Sequence, residues 1–185
     1  APKQPSPPPA RPSLDADTLA GLPLIELPVE TPGKLMAVIY SGDGGWRDID
    51  QKVGGALQGL GIPVVGFDSL RYFWSEKTAA GTAADLDRLI RLQAPAWGVS
   101  KVLLVGYSFG ADLLPATYNA LPADTRAQIP MMSLLALTSA ASWQISVLGW
   151  LGENTGTGGN PADDIARMDP AIVQCIYGAE EEDTP

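Results

Sequence analysis

Residues 101–115 read KVLLVGYSFGADLLP, and the reading of this stretch decides the fold. Its first half, rich in valine and leucine, predicts a buried strand, and Phe109 to about Asn119 predicts a helix. Between them Gly106-Tyr107-Ser108-Phe109-Gly110 matches G-x-S-x-G, a turn that needs small residues on both sides so that strand and helix can approach. Such a turn projects the Ser108 hydroxyl from the carboxyl edge of a sheet. The helix start adds free N–H groups, the amide of Phe109 first among them, where negative charge would develop. Ser108 is the candidate nucleophile. The pentapeptide alone is built of common residues; strand, turn and helix together make it informative.

Working outward, residues 24–29, 35–42, 62–69, 133–140 and 172–178 are short apolar runs bounded by Pro or Gly, and each predicts a strand. The runs at 133–140 and 172–178 read as buried. Ile49, Val53, Leu57 and Leu60 recur at helical spacing up to Gly61. Leu86, Leu89, Ile90 and Trp97 mark a second helical face, with Asp87 and Arg91 paired on the opposite one. Residues 143–150, WQISVLGW, alternate apolar and polar and predict an extended strand rather than a membrane-inserting patch. Strands alternating with helices imply an α/β fold, a mostly parallel, doubly wound sheet covered on both faces.

The chain of 185 residues suits one domain with its own core. Twelve basic against 21 acidic residues leave a net charge of −9. That argues against nucleic-acid or anionic-membrane binding through bulk electrostatics, and it suits cationic substrates. No charge lies between Arg126 and Glu153, but Pro130, Ser133, Thr138, Ser139, Ser142, Gln144 and Ser146 interrupt the run, so no membrane span is expected. The single cysteine, Cys175, has no internal partner; it is expected to be buried in a strand or to pair outside these residues. No metal-ligand spacing occurs, and no cofactor is expected. Residues 1–13, APKQPSPPPARPS, read as a Pro-rich linker or disordered arm that would join an upstream domain, leaving 14–185 as the folded domain.

A second oxyanion donor is expected from the Gly-rich loop YSGDGGW, residues 40–46, through the amide of Asp43 or of Gly44. The acid of a triad in the order Ser, Asp/Glu, His falls in AEEEDTP after the 172–178 strand. Asp183 is favoured, with Glu181 and Glu182 behind it. The sequence contains no histidine. In this order the histidine comes last, so the domain is expected to be incomplete at its C-terminus, with the final strand and histidine loop beyond Pro185. Lys101 starts the strand that ends at Ser108, about 20 Å from it, and is excluded as a base. Lys77 has no placement.

YSGDGGWRDID, VVGFDSLRYFWSEKT and VGYSFGADLLP together resemble the AcvB/VirJ family of bacterial virulence-associated serine hydrolases, and GWLG and QCIYGAEEEDT extend the likeness over most of residues 22–185. The resemblance implies a periplasmic α/β-hydrolase with Ser108 as nucleophile and Asp183 as acid, acting on the aminoacyl ester of lysyl- or alanyl-phosphatidylglycerol. Its expected partners are that lipid and, transiently, the membrane surface. A partner for Cys175 beyond Pro185 is implied as well. Asp43 and Asp112 are candidates to hold the substrate ammonium; Asp112, one turn into the helix, also suits the helix dipole. Arg71, Tyr72 and Trp74 follow a strand at the active edge and are candidates for the lipid phosphate and acyl chains. A carboxylesterase of soluble esters and a periplasmic interaction module on a hydrolase scaffold are the alternatives.

Overall fold

The computed structural model describes residues 19–151 and 158–182. The Pro-rich arm 1–13 and the favoured acid Asp183 lie outside the described residues. The strands are β1 (Leu24–Leu27), β2 (Leu35–Tyr40), β3 (Val64–Phe67), β4 (Lys101–Tyr107), β5 (Met131–Leu135) and β6 (Val173–Ile176). They form one sheet in the order β1-β3-β2-β4-β5-β6, parallel throughout except for β1 against β3. The helices are α1 (Asp48–Gly59), α2 (Ser69–Tyr72), α3 (Ala79–Ala96), α4 (Phe109–Ala120), α5 (Ala123–Arg126), α6 (Val147–Trp150) and α7 (Pro161–Ile165).

β2, β3 and, after Lys101, β4 carry only apolar residues and glycine because both faces are covered. On one face Met36, Val38 and Tyr40 of β2 meet Leu86, Leu89 and Ile90 of α3 and Leu113 and Leu114 of α4, all buried. On the other, Ala37, Ile39, Val64 and Val105 meet Trp46 and the Val53–Leu57 stripe of α1. Each such leucine or isoleucine adds about 1.5–3 kcal/mol by leaving water. α1 ends as expected, with Gly61 at a φ of +81° that favours glycine. The expected Asp87–Arg91 pair forms at 3.7 Å, and Asp87 is buried and also accepts from the Thr125 hydroxyl.

Three expectations are corrected. β5 stops at Leu135, because Ala136 takes a φ of +54° and turns the chain out of the sheet. Residues 143–150 are not a strand: Ile145 is buried and donates its N–H to Phe73 O at 2.8 Å, and Ser146 then caps α6 by accepting from Gly149 N at 3.1 Å. Among the described residues β6 pairs on one side only, with β5, and Gln174–Ile176, Cys175 included, are exposed there rather than buried. Among the described residues no helix is long and apolar enough to cross a membrane, and no group of side chains could hold a metal ion.

Candidate active site

Ser108 sits between β4 and α4 with φ 49° and ψ −117°, a conformation that non-glycine residues avoid. The surrounding backbone holds it there. Its N–H donates to Leu135 O at 2.8 Å, and its carbonyl accepts from Asp112 N at 3.1 Å, opening α4. The two glycines have a steric reason. A Cβ on Gly106 would lie 2.7 Å from Ala111 N and Cα, and one on Gly110 would lie 2.3 Å from Tyr40 O. β4, α4 and the end of β2 are thus packed backbone to backbone around the serine.

The Gly-rich loop is anchored as firmly. Ser41 N donates to Phe67 O at 3.1 Å, and the Ser41 hydroxyl accepts from Ser69 N at 2.9 Å, tying the start of the loop to the β3–α2 corner. Gly45 has a φ of +83° and lies against the Asp68 carboxylate. Below the loop, buried Asp50 accepts from Arg47 N at 3.2 Å, while its Oδ1 has no partner. Burial raises the Asp50 carboxyl to about 6, against the lowering effect of the Arg47 N–H and with Asp68 and Asp48 adding to the rise. An acid at the third position of a helix, as Asp50 is in α1, is a capping signal visible in the sequence.

Of the expected oxyanion donors, Asp43 and Phe109 line one narrow cleft of about 40 Å³, closed by Ser142, Ile145 and Trp150. Gly44 lines the adjoining hollow of about 230 Å³, beside Tyr107. Asp43 is exposed, and its Oδ2 accepts from Trp150 Nε1 at 3.1 Å. The alternating spacing around Trp150 suits a strand and carries no signal for this contact.

Asp112 is buried, and its two oxygens accept from Thr138 N at 2.7 Å and Thr138 Oγ1 at 2.9 Å. Its observed partner is therefore the loop after β5. Tyr72 is turned into the core, with its hydroxyl donating to Asp85 and its ring edge-on to Phe67 and Phe73. Burial and the Asp85 carboxylate hold its phenol above the usual range. Arg71 and Trp74 are exposed. Trp74 lies 6.4 Å from Trp150, ring to ring. Lys101 donates to Ala127 O and Lys77 lies 4.7 Å over the Tyr72 ring, consistent with neither serving Ser108.

The Tyr177 phenol is raised by burial, then by the Cys175 thiol, and then by the charges of Glu181 and Asp112. Glu181 and Glu182 are exposed, and Glu181 N closes a turn onto Gly178 O at 3.2 Å.

The sequence matches the model of a protein family described as bacterial virulence protein (VirJ), over residues 34–185. No curated protein sequence matches the chain. Solved structures similar to it share its fold. One is a protein of Klebsiella pneumoniae subsp. pneumoniae MGH 78578 described as a dienelactone hydrolase, with a TM-score of 0.55, 10% identity, and coverage of 88% of this chain and 81% of that one. A phospholipase/carboxylesterase of Dyadobacter fermentans DSM 18053 matches with a TM-score of 0.52, 14% identity and coverage of 89% and 90%. A third, an α/β-hydrolase-fold protein, has a TM-score of 0.50 and 17% identity; 70% of this chain aligns to 45% of its length.

Proposed function

Because the chain belongs to the VirJ family of bacterial virulence proteins, over residues 34–185, and has the α/β-hydrolase fold, we propose that it is a periplasmic serine esterase. Its substrate in this reading is aminoacyl-phosphatidylglycerol, lysyl- or alanyl-, cleaved at the aminoacyl ester. The observation that carries the reading is Ser108, a non-glycine residue at φ 49° at the tip of the β4–α4 turn. Such backbone strain costs about 1–3 kcal/mol and persists where the surrounding structure enforces it. A bare structural turn has no need to enforce it on a serine.

In the proposed reaction the Ser108 Oγ adds to the aminoacyl carbonyl while its proton passes to a base. The oxyanion takes N–H bonds from Phe109 and from Asp43 or Gly44. Collapse breaks the ester C–O bond, and the glycerol oxygen of the lipid leaves with the proton. Water then attacks the aminoacyl-enzyme and releases the amino acid. No histidine occurs among these 185 residues. The reading therefore assigns the base to a histidine following β6 and the loop after it, beyond Pro185, oriented by a carboxylate of residues 181–183. Asp43, exposed at the cleft, is the candidate contact for the substrate ammonium.

The test is hydrolysis of lysyl- and alanyl-phosphatidylglycerol by the full chain and by Ser108→Ala. A loss of about four or more orders of magnitude is expected, with an unchanged unfolding transition. Wild-type turnover by Ser108→Ala overturns the assignment. Turnover of a soluble ester with none of either lipid moves the function to a general carboxylesterase. Acetylating the substrate α-amino group should lower kcat/KM, and Asp43→Asn should weaken the charged substrate more than a neutral ester.

A further inference from the structure

The large apolar side chains left in water concentrate on one rim. Val147, Leu148, Trp150 and Leu151, on or next to the single turn of α6, are 56%, 58%, 50% and 74% exposed, and Trp74 beside them is 55% exposed. Scattered exposed apolar residues are ordinary, whereas a contiguous cluster marks a surface that meets something. Two tryptophans 6.4 Å apart within it are the side chains best suited to a layer that is apolar on one side and wet on the other.

The charge beside this rim has the opposite sign to the molecule. Leu70, Arg71, Trp74 and Trp150 border an open hollow of about 520 Å³. At Arg71 that hollow meets a cleft of about 600 Å³ lined by Arg71, Lys77 and Arg88. The carboxylate lining the cleft is Asp85, which already takes the Tyr72 hydroxyl and the Arg88 guanidinium. Among the described residues neither Arg71 nor Lys77 forms an ion pair, and the buried Arg88 Nε has no acceptor. A chain of net charge −9 thus gathers three of its twelve basic residues in one cleft next to its exposed tryptophans.

We propose that this rim is the face by which the protein docks on an anionic lipid bilayer. α6 and the tryptophans enter the interfacial layer, and Arg71, Lys77 and Arg88 receive lipid phosphates. The proposal rests on the phospholipid-ester reading above and adds to it the surface that delivers the lipid. Bulk charge repels such a membrane at long range, but ions screen that repulsion beyond about 8–10 Å, so local cations and apolar insertion decide the contact. Trp150 joins the two functions, since it belongs to the exposed rim and also donates to Asp43 in the cleft beside Phe109.

The experiment is co-sedimentation of the full chain with phosphatidylcholine vesicles, with and without an equal part of phosphatidylglycerol. Binding at least about tenfold tighter to the phosphatidylglycerol vesicles is expected, weakening with salt. Leu148→Asp should lower the partition about tenfold or more, and Lys77→Gln about fivefold. Leu148 is exposed, so its variant should keep the wild-type urea midpoint; if it fails to fold, Lys77→Gln carries the test alone. Ser108→Ala should sediment as wild type does while losing turnover, which separates failure of docking from failure of the esterase reading. Equal binding to both vesicles, or a partition that neither variant changes, overturns the proposal. So does a wild-type dimer that Leu148→Asp dissociates, because the rim would then belong to a second copy of the chain.

Discussion

The β4–α4 corner and the crossover between β5 and β6 both border the cleft, and they are built on opposite plans. The corner is backbone against backbone: Gly106 faces Ala111, Gly110 faces Tyr40 O, and Ser108 is held by main-chain bonds at each end. The crossover is held at separate points by distant partners. Lys77 N donates to Trp143 O, Ile145 N to Phe73 O, Ala141 N to Gly159 O, and Trp150 Nε1 to Asp43. A corner of the first kind tolerates almost no added volume. A segment of the second kind has room for variation in its exposed side chains, which is where substrate and membrane contacts are expected to differ.

The sharpest break of this comparison is steric. Gly110→Ala puts a Cβ 2.3 Å from one backbone oxygen and 2.6 Å from another, neither of which is a movable side-chain end. It should cost about 3 kcal/mol or more, or prevent folding, whereas Leu148→Ala in the crossover should shift stability by less than about 0.5 kcal/mol. Urea unfolding of both variants checks the contrast, and similar losses would erase it.

Asp112 joins the two regions, and its replacement comes next in size. Asp112→Ala leaves the part-buried Thr138 N–H without its acceptor and should cost about 1–2 kcal/mol. Asp112→Asn keeps an acceptor oxygen and should restore most of it. If Asp112→Ala unfolds like wild type, the corner and the crossover are uncoupled.

At Ser108 the expected change is a gain. Ser108→Gly relieves the positive φ and should raise stability by about 1 kcal/mol, while Ser108→Ala should not. Thermal unfolding of the pair measures the strain stored at the turn. Equal midpoints would mean that none is stored.

The smallest effect is expected below the Gly-rich loop. Asp50 has its carboxyl raised to about 6 from an ordinary 3.8, so the folded state holds this proton more tightly than the unfolded one. Its contribution is fully favourable below about pH 4 and is lost as pH rises through about 6. Asp50→Asn should remove that slope and leave the protein about 0.5–1 kcal/mol more stable than wild type at pH 7–8, the charge being partly screened at the loop. A pH series of unfolding midpoints for both proteins checks the sign. A wild type that gains stability between pH 4 and 6 more steeply than the variant would reverse it.

Local chemistry made the first region legible. The strand–glycine–serine–helix order around Ser108 specifies its own geometry within ten residues, and the apolar runs at β2, β3 and β4 specify a sheet covered on both faces. The placement of Asp43 and Phe109 on one cleft followed from the same logic, because both lie where parallel strands end. The crossover was not legible, and residues 143–150 show why. Alternating side chains at Trp143, Ile145 and Val147 suit a strand, yet Ile145 is claimed by Phe73 O and the chain turns into α6 at Ser146. Spacing along the chain records which side chains avoid water, but not which distant backbone group will take the free N–H.

By itself, then, the sequence determined the fold class, the order of the strands and the candidate nucleophile, all of which depend on periodicity and on turns closed by neighbouring residues. Only the tertiary structure decided that Asp112 holds Thr138, that Tyr72 belongs to the core, and that Trp150 reaches Asp43. It also decided that Trp74 and α6 share one rim, with Arg71 beside them. Each of these rests on contacts between residues far apart in the chain, whose partners are set by how the whole sheet and its helices close on one another.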